Sequence, residues 1–409
     1  MISVSKAISV IKSKAIGLAE EKVDLSAAAG RILAENIRAD SDLPPFDRSQ
    51  MDGFAVIAKE TLSAPVELKI VGESSAGGGW HHKLKQGEAV RIMTGAPVPK
   101  GADSVQRVEL TSEFRDNGWT GETEGTPAAV TITEPTEKGR FIIPKGFEIR
   151  KGTKVFSKGE VVTTNMIAAL AAFGYSKVAV SQQPKVAILG TGSEIVEIDR
   201  EPGQDQIRNS NSIMLKVVAE KHSAIATVFP IVSDRISDLK KAISRAAKKN
   251  DIVILTGGVS VGKYDFTKTA LVELGAEIFF DKVALKPGKP AVFAKLGQTF
   301  VFGLPGNPVS AAVTFHLFVR ELIMGLQMAS NTGPRKGFAV IAVNAKGTKE
   351  RETYLPSQLN TDKTGRLTAT PLKWHGSSDF IGFARAEALI AIPKGETRGK
   401  GDVCEIVFL

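Results

Sequence analysis

Apolar residues recur at helical spacing over residues 4–21 (Ala7, Ile8, Ile11, Ala15 and Ile16), which predicts an opening helix. A second short helix is expected over 26–34, with Gly30 inside it. Pro44 and Pro45 then stop any helix, and 51–56 reads as a strand. From about 55 to 143 the period shortens to two. Alternating runs at 66–71, 89–93, 104–110 and 128–132 are separated by Gly, Pro and Asn, the signature of a small β-rich domain. The segment 115–127 is polar and rich in turn formers, so it reads as an exposed excursion with solvated acidic residues.

Helical spacing returns at 159–173, with Gly174 placed as a C-cap, and 181–185 reads as a linker. After it, apolar runs and helical patterns alternate: 186–189, helix 212–222, strand 226–232, helix 236–248, run 252–255 and helix 265–274. Strands at 276–283, 291–294 and 300–303 follow, and a long helix at 308–326 closes the unit. The βαβ spacing predicts a parallel sheet with helices on both faces. A second linker, 331–336, leads to strand-like runs at 339–343, 367–371, 388–392 and 403–408, read as a small C-terminal β-domain. No apolar run is read as approaching the ~18 residues of a membrane span, and the N-terminus has no leader pattern. The expectation is a soluble, cytoplasmic chain without membrane contact.

Composition adds bounds. The 409 residues predict two to four domains, and 43% hydrophobic with 24% charged residues excludes a disordered or fibrous chain. The 53 Lys and Arg against 44 Asp and Glu give +9, too diluted for a polyanion partner, so small anionic ligands are expected and nucleic acid is not. Lone Cys404 excludes an internal disulfide framework or thiolate cluster, and His81-His82 would point to opposite strand faces.

The strongest local feature is DIVILTGGVSVGKYDF, a buried strand running into a glycine-rich turn and a helix. Gly257, Gly258 and Gly262 allow close approach of a phosphate, and a helix start supplies N–H donors. The run falls short of a Walker A loop because Tyr264 replaces the Ser or Thr that would meet Mg²⁺. Asp265 then either bridges to phosphate through a cation or caps the following helix. ILGTGSEI sets Gly190, Gly192 and Glu194 at a second strand end, without the third glycine of a dinucleotide fingerprint. GLPGNPVSA turns through Pro305, Gly306 and Asn307 into a helix with Pro308 in its first turn. Three such loops on one sheet edge point to an anion site. Lys286 and Lys289, each followed by proline, either suit a small oxyanion or decorate the surface. Asp47, Asp52, Thr94 and Gly95 read alone as solvated loop. No nucleophile–base pair stands out, so covalent catalysis is not indicated.

Taken in order, DLPPFDRSQMDGFAV, IMTGAPVPKGADSV, ILGTGSEI, LTGGVSVGKYDFT, LKPGKPAVFA and GLPGNPVSA closely resemble the MoeA family of molybdopterin molybdenumtransferases. The gephyrin E domain belongs to the same group, and the resemblance covers essentially the whole chain. It implies a multidomain α/β homodimer. Its parts would be a discontinuous N-terminal domain (1–43 and 148–182), a β-rich domain (44–147), a three-layer molybdopterin-binding α/β domain (183–328) and a C-terminal β-barrel (329–409). The implied reaction takes adenylylated molybdopterin and molybdate, with Mg²⁺, and releases AMP. Position by position, the acidic site falls on Asp52, Glu194, Asp234 and Asp265 with Thr94 beside them; Glu194, Asp234 and Asp265 would hold the metal. The pterin loops would use Gly257, Gly258, Ser260, Gly262, Pro305, Gly306 and Asn307. The oxyanion site would use Lys286 and Lys289, with Arg351 and Ser377 reaching over from the C-terminal domain. Glu148 stands where the family often has Asp. Implied partners are a molybdopterin adenylyltransferase and molybdoenzyme-maturation proteins. Competing readings are an adenylyltransferase-like enzyme, a tungstate-preferring paralogue and a gephyrin-like scaffold.

Overall fold

A computed structural model describes residues 1–115, 118–119, 129–258, 266–373 and 376–409. The chain divides into two compact units: Met1–Glu35 with Ser157–Ala169 and Tyr175–Leu409, and Asn36–Phe156 with Leu170–Gly174. In the first, the opening helix α1 (Val4–Lys14) is shorter than its pattern predicts. It stops because the Leu18 N–H is taken by the Leu326 carbonyl (2.8 Å), and Glu20–Asp24 then becomes a strand paired with Lys177–Ser181. The short helix expected over 26–34 is replaced by a single 3₁₀ turn, Leu25–Ala27, followed by irregular chain.

The centre of this unit is a six-stranded sheet. Its strands are β1 (Lys185–Thr191), β2 (Ile225–Val232), β3 (Ile252–Thr256), β4 (Glu277–Lys282), β5 (Pro290–Leu296) and β6 (Thr299–Leu304), in the order β2-β1-β3-β6-β5-β4. The helices are α2 (Ser210–Lys221), α3 (Ile236–Ala247), α4 (Phe266–Glu273) and the continuous run Pro308–Leu326, whose middle, Phe315–Val319, winds as a π-helix. Alternation along the strands sends Val186, Ile188, Ile252 and Ile254 to one face, against α1, α2 and the closing helix. Ala187, Leu189, Val253 and Leu255 go to the other, against α3 and α4. The three layers expected from the βαβ spacing are therefore present. The sheet is mixed, though: β5 runs antiparallel to both β4 and β6. Two residues between β5 and β6 can make a hairpin but not a crossover.

Pro308–Leu326 is long and apolar enough to cross a membrane by length and composition, which corrects the expectation that no run comes near it. Most of its residues are buried, and apolar side chains such as Val309, Phe315, Phe318 and Leu322 belong to the sheet's core.

The C-terminal strands β7 (Lys336–Ile341), β8 (Glu352–Thr361), β9 (Leu367–Pro371), β10 (Ala388–Ile392) and β11 (Val403–Phe408) close on themselves through pairing of β8 with β10, making a five-stranded barrel. β8, its longest strand, was absent from the pattern reading because Pro356 interrupts it. Its ladder to β9 begins only at Ser357 opposite Pro371, so the missing N–H falls at the ladder's end.

The second unit holds a five-stranded sheet in the order Ala129–Ile132, Val66–Ser74, Glu88–Ile92, Gly53–Val56, Ser104–Arg107. Period-two alternation buries Phe54, Leu68 and Val130 on one side, and Ala55, Val90 and Val105 on the other. Most of the polar excursion at 115–127 lies outside the described residues. Inside this sheet Arg91 Nη2 reaches both oxygens of Glu113 at 2.5 and 2.7 Å, with both residues buried. Arg91→Leu is expected to cost this unit about 3–5 kcal/mol, because it strands a buried carboxylate. Arg91→Leu with Glu113→Leu should recover most of that. Urea unfolding followed by Trp80 fluorescence measures both, and equal losses in the two variants would refute the argument.

Candidate functional site

The carboxyl ends of β1, β3 and β6 are neighbours in the sheet, and the chain leaving each one begins with glycine close by (Gly192, Gly257 and Gly258, Gly306). At β3 the chain turns through Gly257 and Gly258 with φ of +96° and +61°. A Cβ on Gly257 would lie 2.2 Å from the Thr191 carbonyl oxygen at the end of β1, so only glycine permits this approach. The Gly257 N–H in turn donates to the Leu304 carbonyl at the end of β6 (3.3 Å). The three strand ends are thus tied together by backbone.

The start of α2 completes the tie. Asn209 caps it, accepting from the Ser212 N–H at 3.3 Å. Asn211 Nδ2 donates to Thr256 Oγ1 (2.9 Å) and to the Gly306 carbonyl (2.7 Å), bridging the loops after β3 and β6. On the β6 loop, Asn307 Nδ2 donates to Ser377 Oγ (2.8 Å), and the Val309 N–H donates to the Ser377 carbonyl (3.1 Å). Ser377 therefore reaches over from the C-terminal segment, and the partner it meets is the Asn307 loop.

These loops enclose a cavity of about 730 Å³ lined by Thr191, Glu194, Arg208, Asn211, Gly257 and Asn307, with Phe380 as an aromatic wall. Around it, Thr191 Oγ1, Asn211 Oδ1, Ser212 Oγ and Thr267 Oγ1 are buried and have no hydrogen-bond partner among the described residues. Buried polar atoms are normally paired, so this cluster is chemistry prepared for a polar ligand. Asp234 follows β2 on the same edge, where Thr191 stands opposite Val232, and its Oδ1 is also buried and unpartnered. Among the described residues no three of His, Cys, Asp and Glu converge on one point. Mg²⁺ keeps several waters and takes one or two carboxylates plus substrate phosphates, so Glu194 and Asp234 on adjoining loops fit it. Ser260, Gly262 and Asp265 lie outside the described residues.

The expected oxyanion residues form a second group in the same unit. Leu285–Lys286 runs parallel to the start of β8, with Leu285 opposite Glu352 and Lys286 opposite Thr353. The Glu352 N–H donates to the Ala284 carbonyl (2.9 Å), which sets Arg351 beside the lysine turn. No ion pair engages Lys286, Lys289 or Arg351 among the described residues. None of the three is among the cavity's described lining residues.

In the other unit, Asp52 Oδ1 accepts from the Thr94 N–H at 2.6 Å, so these two residues are joined. Gly53 makes the junction possible, since a Cβ there would fall 2.0 Å from the Gln106 carbonyl oxygen. Glu148 faces Arg48 at 3.6 Å. Sequence reasoning missed Thr191, Arg208, Asn211 and Phe380. The run RNSNS at 208–212 is the available signal, a helix start on the sheet's carboxyl edge, of which only Ser212 falls in the predicted helix.

Three family models match the chain: the MoeA N-terminal region (domain I and II) over 2–174, a probable molybdopterin binding domain over 187–325, and the MoeA C-terminal region (domain IV) over 339–409. A molybdopterin molybdenumtransferase of Bacillus subtilis (strain 168) is 37% identical over 386 residues, spanning 93% of this chain and 87% of that protein. The Staphylococcus aureus (strain COL) protein of the same name is 32% identical, over 100% of this chain and 95% of its own. Among solved structures, the molybdopterin biosynthesis moeA protein from Pyrococcus horikoshii OT3 superposes with a TM-score of 0.84 at 27% identity, covering 100% of both chains.

Proposed function

Since this chain belongs to the MoeA family of molybdopterin molybdenumtransferases, transferases of molybdenum cofactor biosynthesis, we propose that it acts on adenylylated molybdopterin and molybdate with Mg²⁺-dependent release of AMP. In this reading water attacks the adenylyl phosphoanhydride and AMP leaves; the two dithiolene thiols then bind molybdenum as one molybdate oxygen departs with their two protons as water. The observation that carries it is the cavity at the strand ends, where a glycine cradle, orphaned polar atoms and Glu194 gather within about 730 Å³.

The backbone at Gly257, Gly258 and Gly306 lets the pterin phosphate approach, and Asn307 orients it. Glu194 and Asp234, with Asp265, would hold Mg²⁺, which when bound neutralises and polarises a phosphoanhydride. Lys286, Lys289 and Arg351 supply the positive charge that a tetrahedral dianion needs. Ser377, tied to Asn307, serves the pterin loop first and the oxyanion only through it. Asp52 and Thr94 are assigned to the acidic set by family position. The reading includes a cytoplasmic homodimer.

The test supplies purified protein with adenylylated molybdopterin, molybdate and Mg²⁺, and measures AMP and molybdenum-loaded pterin. Glu194→Gln and Asp265→Asn should each lose about 100-fold in AMP release with an unchanged circular dichroism spectrum. Consumption of ATP with free molybdopterin, and none of the adenylylated form, would instead select the adenylyltransferase reading.

A further inference from the structure

A second cavity, of about 590 Å³, lies where the closing helix and α2 approach the barrel. Its walls carry an unusual concentration of one charge. The end of α2 supplies Lys221 and His222, the π-helical segment and the residue after it supply His316 and Arg320, and the approach to β7 supplies Arg335. Facing them is Glu387. Glu387 is already used by the Leu359 N–H at 2.9 Å. No ion pair joins it to Lys221, Arg320 or Arg335 among the described residues. Arg320 Nη1 donates to the Thr332 carbonyl, and Arg335 lies over the Phe408 ring at 4.8 Å.

Lys221, Arg320 and Arg335 line one cavity with Glu387 as its one acidic lining residue among the described residues, so like charges repel there. The two imidazoles register that field. His316 is 8% exposed, and His222 Nε2 is buried with no partner. Burial first, then Lys221 and Arg320, push His316 down to about 4. Burial, then Arg320, His316 and Lys221, push His222 down to about 3. A fold that gathers these donors around open space gains most when an anion fills it.

We propose that this cavity is a second anion site, built for a tetrahedral oxyanion of the phosphate or sulfate class. It is distinct from the lysine turn, since Lys286, Lys289 and Arg351 do not line it. It is also not isolated from the strand-end cavity. An intervening pocket of about 480 Å³, walled by Met214, Val218 and Phe383, shares Lys221 and His316 with the basic cavity. The same pocket shares Asn211, Pro308 and Phe380 with the cavity at the strand ends. The anion would sit at the far end of one continuous groove.

Isothermal titration of the full chain with inorganic phosphate, and separately with glycerol 2-phosphate, tests this alongside NMR titration of ¹⁵N-histidine-labelled protein. The two imidazoles report this cavity alone, and the ring pKa values of His316 and His222 are expected to rise by about one unit or more when it fills. Lys221→Gln and Arg335→Gln should each weaken the binding that the two imidazoles report at least about tenfold, whereas Lys249→Ala, an exposed lysine outside the cavity, should leave it unchanged. Should Arg335→Gln fail to fold, Lys221→Gln decides alone, because that side chain is exposed. Binding of phosphate but not its ester identifies a free ion, and the reverse identifies a phosphomonoester; both support the site. No shift of the two imidazoles at millimolar concentrations, or a shift indifferent to Lys221→Gln, overturns it.

Discussion

Phe293→Ala should remove about 3–5 kcal/mol from the stability of the unit that carries the α/β sheet. The side chain is 0% exposed on β5. It stacks on Phe302 at 4.8 Å and Phe300 at 5.7 Å, and meets Phe279 at 5.1 Å and Phe280 at 5.6 Å. Five rings from three strands therefore depend on one residue, and truncation leaves a void that strands cannot close without breaking register. Because β5 is the hinge between the parallel strands and the antiparallel edge, the loss should also loosen the end of β6 that carries Asn307. Guanidinium unfolding of wild type, Phe293→Leu and Phe293→Ala should rank in that order. A penalty under about 1 kcal/mol for the alanine variant would contradict the packing argument.

Gly257→Ala should have the largest effect on turnover. A methyl group there meets the Thr191 carbonyl at 2.2 Å, in a backbone conformation that side chains rarely adopt. Strain of this kind costs about 1–3 kcal/mol. Relief would push the β3 loop off the ends of β1 and β6. A displacement of about 1 Å at a reacting site can lower the rate about 100-fold. Molybdenum insertion by the variant should fall by at least that factor, with the melting temperature reduced by only a few degrees. Activity within about threefold of wild type would remove this loop from the catalytic site.

Much of this fold was readable because periodicity reports burial. The switch from period two to helical spacing near 186, and the apolar runs at 186–189 and 252–255, are what strands covered on both faces require. What periodicity does not encode is direction and closure. Nothing in the run at 291–294 distinguishes an antiparallel strand from a parallel one; only the length of the link to β6 does. β8 was hidden by Pro356, and with it the fact that the barrel closes. The candidate site shows the same division. Gly257, Glu194 and Asn307 announce themselves by turn and helix-start chemistry at strand ends. Asn211 and Thr191 do not, because an amide that bridges two loops looks, in sequence, like any polar residue in the first turn of a helix. Asp52 and Thr94 read as solvated loop until their hydrogen bond is seen, since they lie far apart along the chain.

Closure of the C-terminal barrel hangs on one strand. A closed barrel exposes no strand edge, which protects against pairing with other chains. Here that protection is completed by β11, which lies between β7 and β10, with Lys336 opposite Val407 and Ala388 opposite Phe408. Without β11, β7 and β10 would each present a row of unsatisfied backbone groups to other chains. Ile406→Pro, in the middle of β11, should therefore lower soluble yield by reopening both edges at once.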